Sequence, residues 1–197
     1  MPDVIEDITH EATHEAAHSS NRSTKLIGLL ISVLALFLAV SEMLGKSAQT
    51  HALGLNIEAS DTWNFFQAKT IRQTILRTNM EGLKVQADAS KPEVEKQLSA
   101  WQATIDRWES EPSTNEGRKE LMKKAKEIEA KRDGFLEQYH AYEFASLLIQ
   151  LGIVLSSVTL LTSIMWFSAG SIGLGLCGLV VMTGAYTKSH FLLALLH

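Results

Sequence analysis

Residues 26–40 read LIGLLISVLALFLAV, and the apolar run they open continues to Leu44 with only Ser32, Ser41 and Glu42 as polar interruptions. A bilayer's hydrocarbon is ~30 Å thick, about 20 residues of helix, and a helix satisfies its own backbone hydrogen bonds there. A buried helix of a water-soluble protein is seldom apolar on every face over this length. Two further runs match it: FASLLIQLGIVLSSVTLLTSIMWF at 144–167 and AGSIGLGLCGLVVMTGAY at 169–186. The fold class that follows is all-α. It is a multi-pass membrane protein with three transmembrane helices, over 25–45, 144–167 and 169–187, and a helical, coiled-coil-like extramembrane segment over 46–143. A polar tail precedes them at 1–24 and a short one follows at 188–197. That leader carries Asp3, Glu6, Asp7, Glu11 and Glu15, so it lacks the short positive start of a signal peptide, and the first run reads as an uncleaved anchor.

Charge sets the orientation. Lys and Arg are retained on the cytoplasmic side, most clearly in short loops. The connection FSAGSIG (167–173) carries no charge and belongs outside, which places 46–143 in the cytoplasm and the N-terminus in the periplasm of a bacterial inner membrane. Tyr139, Tyr142 and Tyr186 would mark one interface, Trp166 and Phe167 the other. The net charge of −4 and pI near 6.0 argue against a nucleic-acid partner, which would want a concentrated basic face. The one cysteine, Cys177, excludes an intramolecular disulfide and reads as a small buried hydrophobe.

Between the first two spans the chain reads as about three helices, broken at 87–92 and 110–117. Val94, Leu98, Trp101, Ile105 and Trp108 recur at alternating four and three, as do Leu121, Ala125, Ile128, Arg132, Phe135, Tyr139 and Tyr142. That is the spacing of a coiled-coil or helical-hairpin seam. Nothing stronger than Gly134 interrupts the second pattern on its way into the second span, so one continuous helix is permitted. Ser90 suits a cap before Pro92, and Trp63, Phe66, Ile71 and Ile75 supply apolar surface to the preceding helix. Glu120 with Lys124, and Glu127 with Lys131, have the spacing of supporting ion pairs.

Three features invite chemistry. The tail HEATHEAAH (10–18) contains H-E-x-x-H twice, but a metalloprotease also needs a third ligand and a dry cleft, and alanines alone build none. His10, His14 and His18 on one helical stripe retain a weaker reading as loose ligands for a transition-metal ion. Inside the spans, Glu42 has Lys46 as a helical partner, and Gln150 is joined by Ser156, Ser157, Thr159, Thr162 and Ser163. Interfacial reach for Glu42 and interhelical hydrogen bonds for the rest are the expectation. In the third span Gly170, Gly173, Gly175 and Gly178, with Ser171 and Cys177, favour close approach of backbones in a tight hairpin. No phosphate loop and no nucleophile–base pair appears, so neither catalytic residues nor a cofactor is expected.

EASDTWNFFQAKTIRQT (58–74) after the first span and YEFASLLIQLGIVLSSVTLLT (142–162) opening the second resemble the domain-of-unknown-function family 4337 of bacterial membrane proteins, over nearly the whole chain. The resemblance implies an inner-membrane location and no established activity, and it directs attention to Asp61, Trp63, Gln67, Lys69 and Arg72. Lys69 and Arg72 are expected to share a helix face as a packing or subunit-contact motif. The functional expectation is a non-enzymatic integral membrane protein whose partners are the lipid bilayer and further copies of itself or another membrane protein. The alternatives are a subunit of an oligomeric channel or transporter built around Glu42 or Gln150, and a metal-binding membrane protein using the His-rich tail.

Overall fold

The computed structural model of the chain describes residues 10–11, 22–86 and 91–194, with side chains as far as 187. Its long helices are, in order, α1 (Arg22–Gln86), α2 (Pro92–Glu109), α3 (Arg118–Thr162) and α4 (Met165–Ala194), and no strand occurs among the described residues. The all-α class stands. α1, α3 and α4 are long and apolar enough to cross a membrane. At 65 residues, α1 is about three times the length a crossing needs, and its apolar residues are concentrated near its start.

Local chemistry explains the ends. No proline falls between Pro2 and Pro92, so nothing removes a backbone donor within α1. α2 opens on Pro92 with Glu93 and Glu95 in its first turn and closes with Arg107 in its last, both suited to the helix dipole. Its cap position is the extended Lys91, without a side-chain cap bond, and Ser90 lies outside the described residues. The 110–117 turn holds Asn115 at φ 56° and ends on Gly117, where a Cβ would collide with the carboxylate of Glu120 and the backbone of Ser110 and Glu111. α3 passes through Gly134 unbroken, as the pattern permitted.

The link between the second and third apolar runs corrects the expectation. It is not FSAGSIG but Ser163–Ile164, with Ser163 at φ 57° and its amide bonded to the Thr159 carbonyl at 2.9 Å. Met165–Phe167 therefore begin α4 rather than end the second span. A two-residue break marked only by Thr162 and Ser163, with no charge, proline or glycine, is hard to tell in hydropathy from the other hydroxyl residues of the run.

The chain divides into two compact units, one formed by residues to Thr50 with those from Gly134, the other by His51–Asp133. In the first, Ile27, Ile31, Leu34 and Leu38 of α1 pack with Ile149 and Ile153 of α3. Gly152, Gly175 and Gly178 are the places where backbone comes close: a Cβ on Gly175 would lie 2.6 Å from Leu34, and one on Gly178 2.7 Å from Ile149. Gly173 faces open space and Cys177 is exposed, so Ser171–Gly175 is a packing pair and Gly173–Cys177 is not. α4 buries Ser171, Gly175, Gly178 and Ala185, and Cys177 falls on the opposite side of that row.

In the second unit, the buried row of α1 is Ala52, Ala59, Thr62, Lys69, Gln73 and Met80, spaced by sums of four and three. It faces Ile105 of α2 and Leu121, Ala125 and Ile128 of α3, the last four as the spacing predicted. Trp101 and Trp108 are half-buried. Of the residues read as supplying apolar surface, Ile71 and Ile75 are 60% and 56% exposed, while Trp63 and Phe66 sit half-buried at the edge. Apart from Met80, the seam of α1 is filled by Ala, Thr, Lys and Gln side chains.

Candidate functional site

Two polar constellations stand out, one in each unit. In the first unit, α1 and α3 run antiparallel where their apolar runs end, held by the Ser41 hydroxyl donating to the Tyr142 carbonyl at 3.1 Å and by Gly45, which leaves room for the Tyr142 side chain. Glu42 and Gln150, 108 positions apart, meet here, the Gln150 amide donating to the Glu42 carboxylate at 3.3 Å. Lys46 forms no ion pair with Glu42 among the described residues, so the expected helical partner is replaced by one across the groove. Glu143 lies on the other wall with Tyr139 Oη at 3.5 Å and His140 Nδ1 at 3.4 Å. These residues, with Lys46, Tyr142 and Leu147, line an open groove of about 700 Å³. Deeper in the apolar runs, the hydroxyls of Ser156 and Ser171 lie 2.6 Å apart and Ser171 donates to the Gly152 carbonyl at 2.7 Å. Ser157, Thr159 and Thr162 instead bond carbonyls one turn back on their own helix.

In the second unit, Gln73, only 1% exposed, holds three helices together. Its amide nitrogen donates to the Ile105 carbonyl at 3.0 Å and lies 3.3 Å from the Glu109 carboxylate, and its oxygen accepts from Arg118 at 2.9 Å. Arg118 also pairs with Glu109 at 3.1 Å and lies over the Phe66 ring, 5.0 Å from its centre. Lys69, one turn before Gln73, donates to the backbone carbonyl of Glu116, with that residue's carboxylate at 3.8 Å and the Phe65 ring centre at 5.1 Å. Glu120 accepts from the Ser110 hydroxyl at 2.6 Å and from the Glu111 amide at 3.2 Å. The Ser110 bond is the main reason its carboxyl titrates below the ordinary glutamate value. Thus Glu120 does not pair with Lys124, and Glu127 pairs with Lys123 at 3.8 Å rather than with Lys131.

Of the residues singled out by sequence, Lys69 lies in this network. Trp63 is attached nearby, its indole donating to Glu129 at 2.9 Å and its ring edge-on to Phe66. Asp61, Gln67 and Arg72 are exposed, and Arg72 does not share a buried face with Lys69. Three residues on in a helix is about 300° round the axis, enough to leave a seam only a few atoms wide. Sequence reasoning missed Gln73, Glu109 and Arg118. The one signal was that Gln73 continues the three-four spacing from Lys69. His10 is described, while His14 and His18 lie outside the described residues; among the described residues no group of His, Cys, Asp and Glu is placed to hold a metal ion.

No curated protein and no solved structure matches the chain. The model of the Domain of unknown function (DUF4337) matches residues 23–188, from the start of α1 through all the helix contacts just described, and the chain belongs to that family.

Proposed function

We propose that this is a non-enzymatic integral membrane protein of the bacterial inner membrane, with three spans, whose cytoplasmic, coiled-coil-like helical part associates with further copies of itself or with another membrane protein. Support for the membrane comes from the outer faces of the three apolar helices. Leu29, Leu36 and Met43 on α1, Leu161 on α3 and Leu176 and Val180 on α4 are all more than half exposed. Water would not tolerate so continuous an apolar surface, and lipid favours it. The uncharged Ser163–Ile164 link, with exposed Trp166 beside it, fits the periplasmic side.

The association half is carried by one observation. In the second unit α1 turns Lys69 and Gln73 inward and leaves Leu53, Ile57, Ile71 and Ile75 outward, each more than half exposed. These sit at four-residue pairs along one side of α1, beyond the apolar run, where lipid does not account for them. The test is the mass of the detergent-solubilised complex with any co-purifying chains. A multimer or heteromer that falls to a monomer in the Ile71→Ser/Ile75→Ser variant supports the reading. A wild-type chain that is a lone monomer overturns it.

A further inference from the structure

We propose that the groove between α1 and α3 in the first unit binds the head group of a zwitterionic aminophospholipid, with its ammonium between Glu42 and Glu143 and its phosphate toward Lys46. This rests on the membrane reading above. Its position follows from the sequence: Glu42 lies two residues before the first apolar run ends at Leu44, and Glu143 directly precedes the second, which opens on Phe144. The groove is therefore at the depth where head groups lie, and Tyr139 and Tyr142 supply the amphipathic rings that favour that depth. Its volume of about 700 Å³ falls in the range of small-molecule sites.

The chemistry of the lining selects the ligand. Two carboxylates and one ammonium face the groove, so it is short of positive charge and holds a cation better than an anion. Gln150 fixes Glu42 from one side, and Tyr139 and His140 fix Glu143, which leaves carboxylate lone pairs for a primary ammonium. Such an ammonium donates charge-assisted hydrogen bonds; a trimethylated one has no N–H to give. Lys46, unpaired with either carboxylate among the described residues, is the group suited to a phosphate on the same ligand. Leu147 lines the groove, and Leu151 one turn deeper is 48% exposed, so an apolar track for an acyl chain leads from it into the second run. Simple snorkelling of Glu42 would need neither the groove nor the facing Glu143.

The full chain, solubilised in mild detergent, is offered defined phosphatidylethanolamine, phosphatidylcholine or phosphatidylglycerol, and retained lipid is counted by native mass spectrometry. Phosphatidylethanolamine should be retained about tenfold over the other two, the size expected of charge-assisted hydrogen bonds. Glu42→Gln/Glu143→Gln should lose that preference, and Lys46→Gln should lower retention with both carboxylates in place. Equal retention of the three lipids, or an unchanged preference in a double variant whose helical content and melting match wild type, overturns the site. Carbonate extraction of the same preparations separates the two readings. A chain that stays with the membrane but shows no preference overturns the head-group site alone, whereas a chain washed off overturns the membrane reading and the site with it.

Discussion

At Gln73 a single amide carries bonds to three other groups in a space that excludes water. Replacing it with Leu keeps the volume but leaves one Arg118 N–H without its acceptor and removes the second bond to the Ile105 carbonyl, which keeps its helical one. Leaving buried polar groups unpaired costs about 1–3 kcal/mol, so Gln73→Leu should lower the denaturation midpoint of the solubilised protein clearly, while the exposed neighbour Arg72→Ala should not. Glu120 gives a pH signature. Its carboxyl is held below the ordinary glutamate value when folded, chiefly by Ser110, so the stabilisation is present above that ordinary value and lost as pH falls through the depressed one. Ser110→Ala should raise the Glu120 titration seen by carboxyl NMR and weaken amide-exchange protection of the 110–117 turn at neutral pH. Sequence alone had Lys69 in view but not its buried neighbour. The two differ from exposed Gln67 and Arg72 only by where three-and-four spacing falls, which becomes meaningful once the partner helices are known.

Among the elements, the helices were largely legible and their faces were not. α1 and α3 follow from unbroken helix-compatible sequence, the start of α2 from Pro92, and the 110–117 turn from Pro, Ser and Gly. Which glycines of α4 matter is a question of packing. Gly178 lies against Ile149 and the Ala145 carbonyl, whereas Gly173 faces nothing within 4 Å. Overpacking a tight contact costs about 1–3 kcal/mol, so Gly178→Val should lower the melting temperature in detergent and Gly173→Val should leave it within error. Gly117→Ala should behave like Gly178→Val, since its new methyl would meet the Ser110 Cα at 2.7 Å. Intact helical content with no change in melting for both tight glycines would contradict the packing described.

For the molecule as a whole, the prediction is physical partition. The chain should stay in the pellet after a carbonate wash and require an amphiphile in solution, since burying its apolar helices in lipid offsets a cost no aqueous fold of this size meets. Composition carried this expectation without any coordinates: long runs of carbon-rich side chains favour helix and lipid, because transfer free energy depends on which residues are present more than on which way they point. Facing, by contrast, was decided by the tertiary structure. It put Ile71 and Ile75 outside and Lys69 and Gln73 inside, brought Glu42 to Gln150 across 108 positions, and moved the last link to Ser163–Ile164. Those outcomes depend on distances between segments far apart in sequence, and a hydrogen bond or a tight glycine contact exists only once two helices have come within a few ångströms of each other.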